Sequence, residues 1–189
     1  LKDWLDLSTG INPNGWPVPE QISTELWTRL PENEDDLIDQ AKTYYQCEHI
    51  LPVAGSQAAI QILPTLRAAC RVAILSPAYE EHRHCWQQAG HEVVALESFE
   101  LDQQIDMFDV VGKFFGLAGV RVGFVITHPD LLKHIAEKSG PWPIASVSRW
   151  IASQALADKN WQQQSRQYLP QHAQRLTELL AQYQLAPSG

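Results

Sequence analysis

The sequence has few cysteines, no basic cluster and a low share of charged residues. Its three cysteines, Cys47, Cys70 and Cys85, stand among 189 residues and have no CxxC spacing. An odd number without that spacing argues against a disulfide framework, so we expect a reducing, cytoplasmic compartment. Lys and Arg number 14 against 22 Asp and Glu, for a net charge of −8. Because no basic stripe forms, we expect no nucleic-acid partner.

Long apolar runs are also absent. No stretch approaches the about eighteen apolar residues that a membrane span needs, and no signal-like segment begins the chain, so we expect no membrane partner. The hydrophobic content of 44% is enough for a core of ordinary density. These properties predict a globular protein.

Short apolar runs and helical periodicity alternate along the chain. The run 71–75 ends at Ser76-Pro77 and is typical of a buried parallel strand, and 91–96 predicts a second strand after a helix at 80–89. This order predicts an α/β fold, in which a mostly parallel sheet is flanked by helices. Further helices are predicted at 31–47, 58–63, 129–137 and 145–180, the last interrupted at Pro170, and a further strand at 120–126.

A glycine turn at Gly55 leads into one of these helices, with Ser56 and Gln57 following directly. The unpaired N–H groups at a helix start, and the positive end of the helix dipole, attract phosphate. The pattern therefore indicates a phosphate site. The alternative is an ordinary N-cap serine after a turn.

Lys113 lies in an apolar, glycine-rich stretch, eight residues before Arg121. Removal of water from an amine makes it a better nucleophile toward an aldehyde, as attachment of pyridoxal 5'-phosphate (PLP) requires. An arginine fork can bind two oxygens of the phosphate. The alternative is a loop lysine whose stem lies along apolar surface, with Arg121 in a surface ion pair.

The stretch 112–124 resembles the lysine and arginine cofactor signature of fold-type I aminotransferases. Further segments are similar to the cobalamin-biosynthesis threonine-phosphate decarboxylases, which are close relatives of the histidinol-phosphate aminotransferases. They lie in the family's order over nearly the whole chain: Asp6–Pro13, Leu30–Glu32, Val53–Gln61, Leu75–His82 and Gly112–Gly119.

This resemblance implies a cofactor, PLP, and a role for each matching residue, with no metal. Lys113 would form the Schiff base and move protons at the α-carbon of the substrate. Tyr79 would stack on the pyridine ring. The alternative for Tyr79 is a structural role, as a tyrosine packed at the edge of a sheet. The phosphate would contact Gly55, Ser56, Gln57 and Arg121, and the substrate would lie under an arm that contains Gly10, Ile11 and Asn12.

The sequence departs from the family pattern between Leu101 and Lys113. An Asn-Pro-x-x-Pro-Thr-Gly segment and an Asp-Glu-Ala-Phe or Tyr segment, which hold the pyridine ring, are expected there and are not present. Val110 also stands where a serine or threonine is usual, and the C-terminal arginine for the substrate carboxylate is absent. Loss of these parts would remove central strands of the sheet. We therefore interpret residues 101–112 as a junction from which residues are missing.

The resemblance implies a PLP-dependent carboxy-lyase that decarboxylates L-threonine O-3-phosphate to (R)-1-aminopropan-2-yl phosphate in cobalamin biosynthesis. A histidinol-phosphate-type aminotransferase shares every cofactor contact and stays an alternative. Because the ring-holding segments are absent, a cofactor-free, non-catalytic relative is the alternative of another class.

The resemblance also implies a domain arrangement and an assembly. Residues 1–30 are expected to form an N-terminal arm of a smaller α/β domain, 31–140 the large PLP-binding domain, and 141–189 helices that lead into an incomplete C-terminal small domain. Fold-type I enzymes complete their sites across a subunit interface, so a homodimer is expected. Leu30 before Pro31 stands where the aminotransferases have a tyrosine that reaches the partner's phosphate.

Overall fold

The computed structural model describes residues 9–32, 34–98 and 107–185, with the backbone alone described at 107–111. The motif residues Asp6, Leu7 and Ser8 and residues 101–106 of the predicted junction lie outside this part of the chain. None of the helices described is long and apolar enough to cross a membrane.

Helices and strands alternate through most of the described chain, which confirms the α/β class. The strands are β1 (Leu51–Val53), β2 (Arg71–Leu75), β3 (Glu92–Leu96), β4 (Met107–Val110) and β5 (Gly123–Ile126). The helices are α1 (Glu25–Thr28), α2 (Leu37–Tyr45), α3 (Ser56–Ile62), α4 (Glu80–Gln88), α5 (Val111–Phe114), α6 (Pro129–Ser139), α7 (Ser146–Ala157) and α8 (Lys159–Gln182).

The described strands form two sheets. The larger has the order β1-β5-β4, and β5 runs antiparallel to both neighbours. The smaller consists of β2 and β3, which are parallel as the sequence predicts, with α4 as the crossover. Residues 111–122, which contain α5, connect β4 to β5.

Helices cover both faces of the larger sheet. On one face, Phe124 of β5 is 1% exposed and packs in a cluster with residues of α2 and α7. On the other face, Val125 is fully buried with Val53 of β1 and with Ile135 of α6. Adjacent β5 residues thus face opposite layers, as the pleat of a strand requires. This sandwich fixes β1 and β5, whose ends carry the motif residues.

The smaller sheet differs from the buried strand that the sequence predicts. Along β2, exposed and half-buried residues alternate, and Leu75 is 44% exposed. Leu96 of β3 is also exposed. Among the described strands, β2 has a single neighbour, so its apolar side chains lack the cover that a central strand of a larger sheet receives. The apolar composition of β2 correctly predicts a parallel strand, but the burial of its side chains depends on the elements that pack against it.

The predicted break at Pro170 is wrong, because α8 runs through this proline. The chain breaks instead at Asp158, between α7 and α8. The Asp158 carboxylate accepts a hydrogen bond from the backbone N–H of Trp161 (2.9 Å) and caps α8. Its other oxygen accepts from the indole N–H of Trp16 (3.1 Å). An N-cap bond and a distant indole together fix the boundary.

One buried histidine ties the smaller sheet together. The Nδ1 atom of His91 accepts from the backbone N–H of Cys70 (3.1 Å), so Nε2 carries the proton and donates to the Pro64 carbonyl (2.8 Å). These bonds join the turn after α3 to the starts of β2 and β3. The neighbouring α4 buries Cys85, and this burial, with the charge of Glu81 adding to it, raises the pKa of the thiol.

We expect the substitution His91→Leu to lower the free energy of unfolding by about 2–4 kcal/mol, because two buried backbone groups lose their partners. Urea denaturation measures this change. The matched control is His84→Leu on the exposed side of α4, for which we expect a change within about 0.5 kcal/mol. Equal effects of the two substitutions would contradict the structural role of His91.

Candidate functional site

All of the predicted site residues except Asn12 line one cavity of about 520 Å³. The cavity lies at the ends of β1 and β2 and beside the loop that precedes β5. Residues at these strand ends and in the turns that follow them form its wall. Such a volume is typical of cofactor and substrate sites. The lining residues are Thr9, Gly10, Ile11, Gly55, Ser56, Gln57, Tyr79, Gly112, Lys113, Ala118, Arg121 and Val122.

Gly55 and Arg121 form a cradle at the start of α3. Gly55 is buried and has a φ of +77°, and its N–H donates to the Val53 carbonyl (2.7 Å). A Cβ atom at this position would lie 2.9 Å from a guanidinium nitrogen of Arg121. Only glycine therefore allows Arg121 to lie against the turn. The guanidinium, the first amides of α3 and the Ser56 hydroxyl form one anion-binding corner.

Lys113 is the second cation of the cavity wall. It lies in the last turn of α5, and its side chain is exposed. The sequence predicts a lysine shielded from water, and this prediction is wrong for the described chain. The physical reason is that apolar residues of this stretch, such as Phe115 and Leu117, pack into the core, and apolar neighbours in the sequence need not cover the amine. Lys113 and Arg121 both line the cavity.

Tyr79 and Gln57 flank the anion-binding corner. Tyr79 is the N-cap residue of α4 and lines the cavity. Its ring contacts the His82 ring in a T-shaped arrangement with 6.3 Å between the centroids, and the residue is 63% exposed, which leaves ring surface for a further aromatic contact. The side chain of Gln57 turns to α4 and donates to the Glu81 carboxylate (2.8 Å). This bond links α3 to α4. Because the Gln57 side chain is used in it, the backbone of Gln57 is the part that remains available to a ligand in the cavity. The sequence does not indicate this role of Glu81, because only the fold brings Glu81 near Gln57.

Gly10 and Ile11 of the arm line the cavity, and so does Thr9, whereas Asn12 does not. The substrate contacts expected of Gly10, Ile11 and Asn12 stay predictions. The Asn12 side chain is used elsewhere: Nδ2 donates to the Phe114 carbonyl (2.9 Å), and Oδ1 accepts from the Asn14 N–H (3.0 Å).

The arm is hydrogen-bonded to the segment that contains Lys113. The backbone N–H of Asn12 donates to the Lys113 carbonyl (3.0 Å), and that of Trp16 donates to the Phe115 carbonyl (2.8 Å). The Trp16 side chain is buried in the core. We call these contacts between residues 12–16 and 113–116 the arm clasp. The clasp fixes the backbone on either side of the cavity.

The arrangement suits an anionic ligand with an aldehyde. Lys113 and Arg121 line the cavity, and none of its described lining residues is acidic. The buried Gly55 cradle fits a phosphate, the amine can attack a carbonyl carbon, and the Tyr79 ring can stack on a flat heterocycle. These residues fit the phosphate, the aldehyde and one ring face of PLP. A carboxylate for the pyridine nitrogen is not found among the described lining residues, and no group of three metal-ligating side chains occurs in the described chain.

Comparison with known proteins agrees with this chemistry. The family model described as aminotransferase class I and II matches residues 109–188. The threonine-phosphate decarboxylase of Pseudomonas aeruginosa is 37% identical over 256 positions, which cover all of this chain and 76% of the relative. Since this chain has 189 residues, the relative has residues inside the match that have no counterpart here.

Solved structures show the same fold. The crystal structure of histidinol-phosphate aminotransferase from Clostridium acetobutylicum superposes with a TM-score of 0.78 at 17% identity, over 95% of this chain and 77% of that one. The same enzyme from Sinorhizobium meliloti, solved in complex with pyridoxal-5'-phosphate, gives a TM-score of 0.72 at 13% identity, over 88% and 66% of the two chains. On the identity of 37% to the Pseudomonas decarboxylase over the whole of this chain, the chain belongs to the PLP-dependent class I and II aminotransferase family, among its threonine-phosphate decarboxylases.

Proposed function

We propose that this protein is a PLP-dependent carboxy-lyase that acts on L-threonine O-3-phosphate and releases carbon dioxide, leaving (R)-1-aminopropan-2-yl phosphate. The observation that carries the proposal is the convergence of Lys113, Arg121, the Gly55 cradle and Tyr79 on one cavity. The similarity to the Pseudomonas decarboxylase supports the choice of substrate.

The anion-binding corner would hold the cofactor by its phosphate. Arg121 offers a guanidinium fork, Ser56 a hydroxyl, and the start of α3 its free amides, and these donors converge where Gly55 leaves room. Tyr79, beside this corner, sets the plane in which a bound ring lies. The two groups together fix where the aldehyde of the cofactor points.

Lys113 would provide the amine at the reacting end. PLP, when bound, supplies an aldehyde for attachment and a ring that withdraws electrons from the α-carbon of the substrate. Lys113 is the group on the described cavity wall that can hold a proton and deliver it to that carbon after the carboxylate has left. Gly10 and Ile11, which line the cavity, would orient the substrate.

Two alternatives follow from particular observations. Amino transfer uses the same cofactor contacts, and the structural similarity to histidinol-phosphate aminotransferases favours it as the second candidate. The lack of a described acidic lining residue favours a non-catalytic relative, because an unprotonated pyridine is a weak electron sink. Cytoplasmic location and a homodimer, both expected from the sequence, stay predictions.

We expect the purified protein, mixed with PLP and reduced with borohydride, to carry the cofactor covalently on Lys113, because an exposed amine on the cavity wall meets the aldehyde. Peptide mass spectrometry locates the adduct. Lys113→Ala abolishes it, whereas Lys133→Ala on α6, also an exposed lysine, leaves it unchanged. Absence of any adduct on the wild-type protein would favour the non-catalytic alternative.

The substitution Arg121→Ala is expected to weaken PLP binding by about tenfold to a hundredfold, since charged hydrogen bonds to the phosphate are lost. Binding of pyridoxal, which lacks the phosphate, should change little. Equilibrium dialysis measures both. Arg71→Ala, an exposed arginine on β2 paired with Glu92, is the matched control. A similar loss for both ligands in the Arg121 variant would argue against phosphate binding.

The wild-type protein with PLP and L-threonine O-3-phosphate should release carbon dioxide without consuming 2-oxoglutarate, because the proposed reaction breaks the bond to the carboxylate. Release of labelled carbon dioxide and formation of glutamate are measured in parallel, with Lys113→Ala as the blank. Glutamate without carbon dioxide would move the assignment to the aminotransferase.

A further inference from the structure

The geometry points to Asn12 as a positioning residue for Lys113. We propose that the Asn12 side chain and backbone hold the end of α5, so that the Lys113 side chain lines the cavity in the orientation that meets an aldehyde. This inference rests on the proposed function and adds to it a residue whose side chain does not line the cavity.

Asn12 caps the end of α5 together with the turn that follows the helix. Helix α5 has four residues, and the last carbonyls of a helix lack partners within it. The Lys113 carbonyl accepts from the N–H groups of Gly116 (3.1 Å) and Asn12 (3.0 Å), and the Phe114 carbonyl accepts from Nδ2 of Asn12 (2.9 Å). The residue is 8% exposed, so these bonds form away from water.

A close backbone contact prevents the arm from sliding along this segment. Gly116 has a φ of +67°, and a Cβ atom there would lie 2.4 Å from the Cα atom of Gly15 and 2.8 Å from the Asn12 carbonyl oxygen. Trp16 adds a hydrogen bond to the Phe115 carbonyl (2.8 Å). The register between arm and lysine is therefore fixed by contact as well as by hydrogen bonds.

The arm clasp also connects the cavity edge to the lysine. Thr9, Gly10 and Ile11 line the cavity immediately before Asn12 in the chain. A ligand that contacts the arm therefore contacts residues joined directly to the cap of Lys113. Without the Asn12 side chain, the end of α5 samples more orientations, and attachment of an aldehyde has to restrict them again.

Two ligands separate positioning from general damage to the site. Pyridoxamine 5'-phosphate has the same ring and phosphate as PLP but no aldehyde. We expect Asn12→Ala to weaken PLP binding by about fivefold to tenfold, the effect of one lost hydrogen bond, and pyridoxamine 5'-phosphate binding by less than about twofold. Equal weakening of both ligands, or none, would overturn the proposal.

The matched control lies two residues along the same arm. Asn14 donates its side-chain amide to the Tyr168 hydroxyl (2.6 Å), away from the Lys113 segment. Asn14→Ala should leave the affinities for both ligands unchanged. Asn12→Asp is isosteric and keeps the acceptor for the Asn14 N–H, but it cannot donate to Phe114. It should behave like Asn12→Ala, and a wild-type result for this variant would also overturn the proposal.

A readout without cofactor keeps the inference separate from the proposed function. The rate at which an amine-acylating reagent modifies Lys113 in the free protein is followed by peptide mass spectrometry. We expect Asn12→Ala, which adds no charge near the amine, to change this rate by about threefold or more, with the rate at Lys133 unchanged, because the end of α5 loses an anchor. If wild-type protein binds no PLP, the proposed function fails, whereas this rate still decides the role of Asn12. An unchanged Lys113 rate would reject it.

Discussion

The hydrogen bonds between the arm and the segment after α5 are the constraint on which the site depends. They join residues about a hundred positions apart in the chain. They thereby bring the arm, which lines one part of the cavity, next to the segment that contains Lys113. Trp16 extends the same contact into the core and, through Asp158, to the start of α8. Main-chain bonds of this kind tolerate changes of side chain, except where backbones touch at Gly15 and Gly116.

Much of the site could be predicted because its residues stand beside strand ends. Gly55 follows β1 and Tyr79 follows β2, so local sequence alone places them at one edge of the fold. The role of Asn12 could not be predicted in this way, because its partner, Phe114, is defined by the folded arm. The same holds for the boundary at Asp158, which needs the distant indole of Trp16, whereas Pro170 is accommodated within α8.

The exposed state of Lys113 and of β2 has a common origin. The sequence predicts both as buried from the apolar residues around them, but the described strands form two sheets rather than one. The Pseudomonas relative has residues inside the match that this chain does not have. Whether a segment is buried depends on what packs against it. The apolar sequences of β2 and of the stretch around Lys113 therefore indicate a preference for burial, but they do not ensure that other residues cover these segments.

The open side of β2 affects how the protein behaves in concentrated solution. Among the described strands it bonds to β3 alone, and its free edge offers a row of backbone donors and acceptors next to exposed Leu75. Such an edge is a template onto which another extended chain can add. Arg71 places a charge at the other end of this strand, where it pairs with Glu92 of β3. Self-association would therefore begin at the apolar end of β2, from which the chain continues to Tyr79 at the cavity.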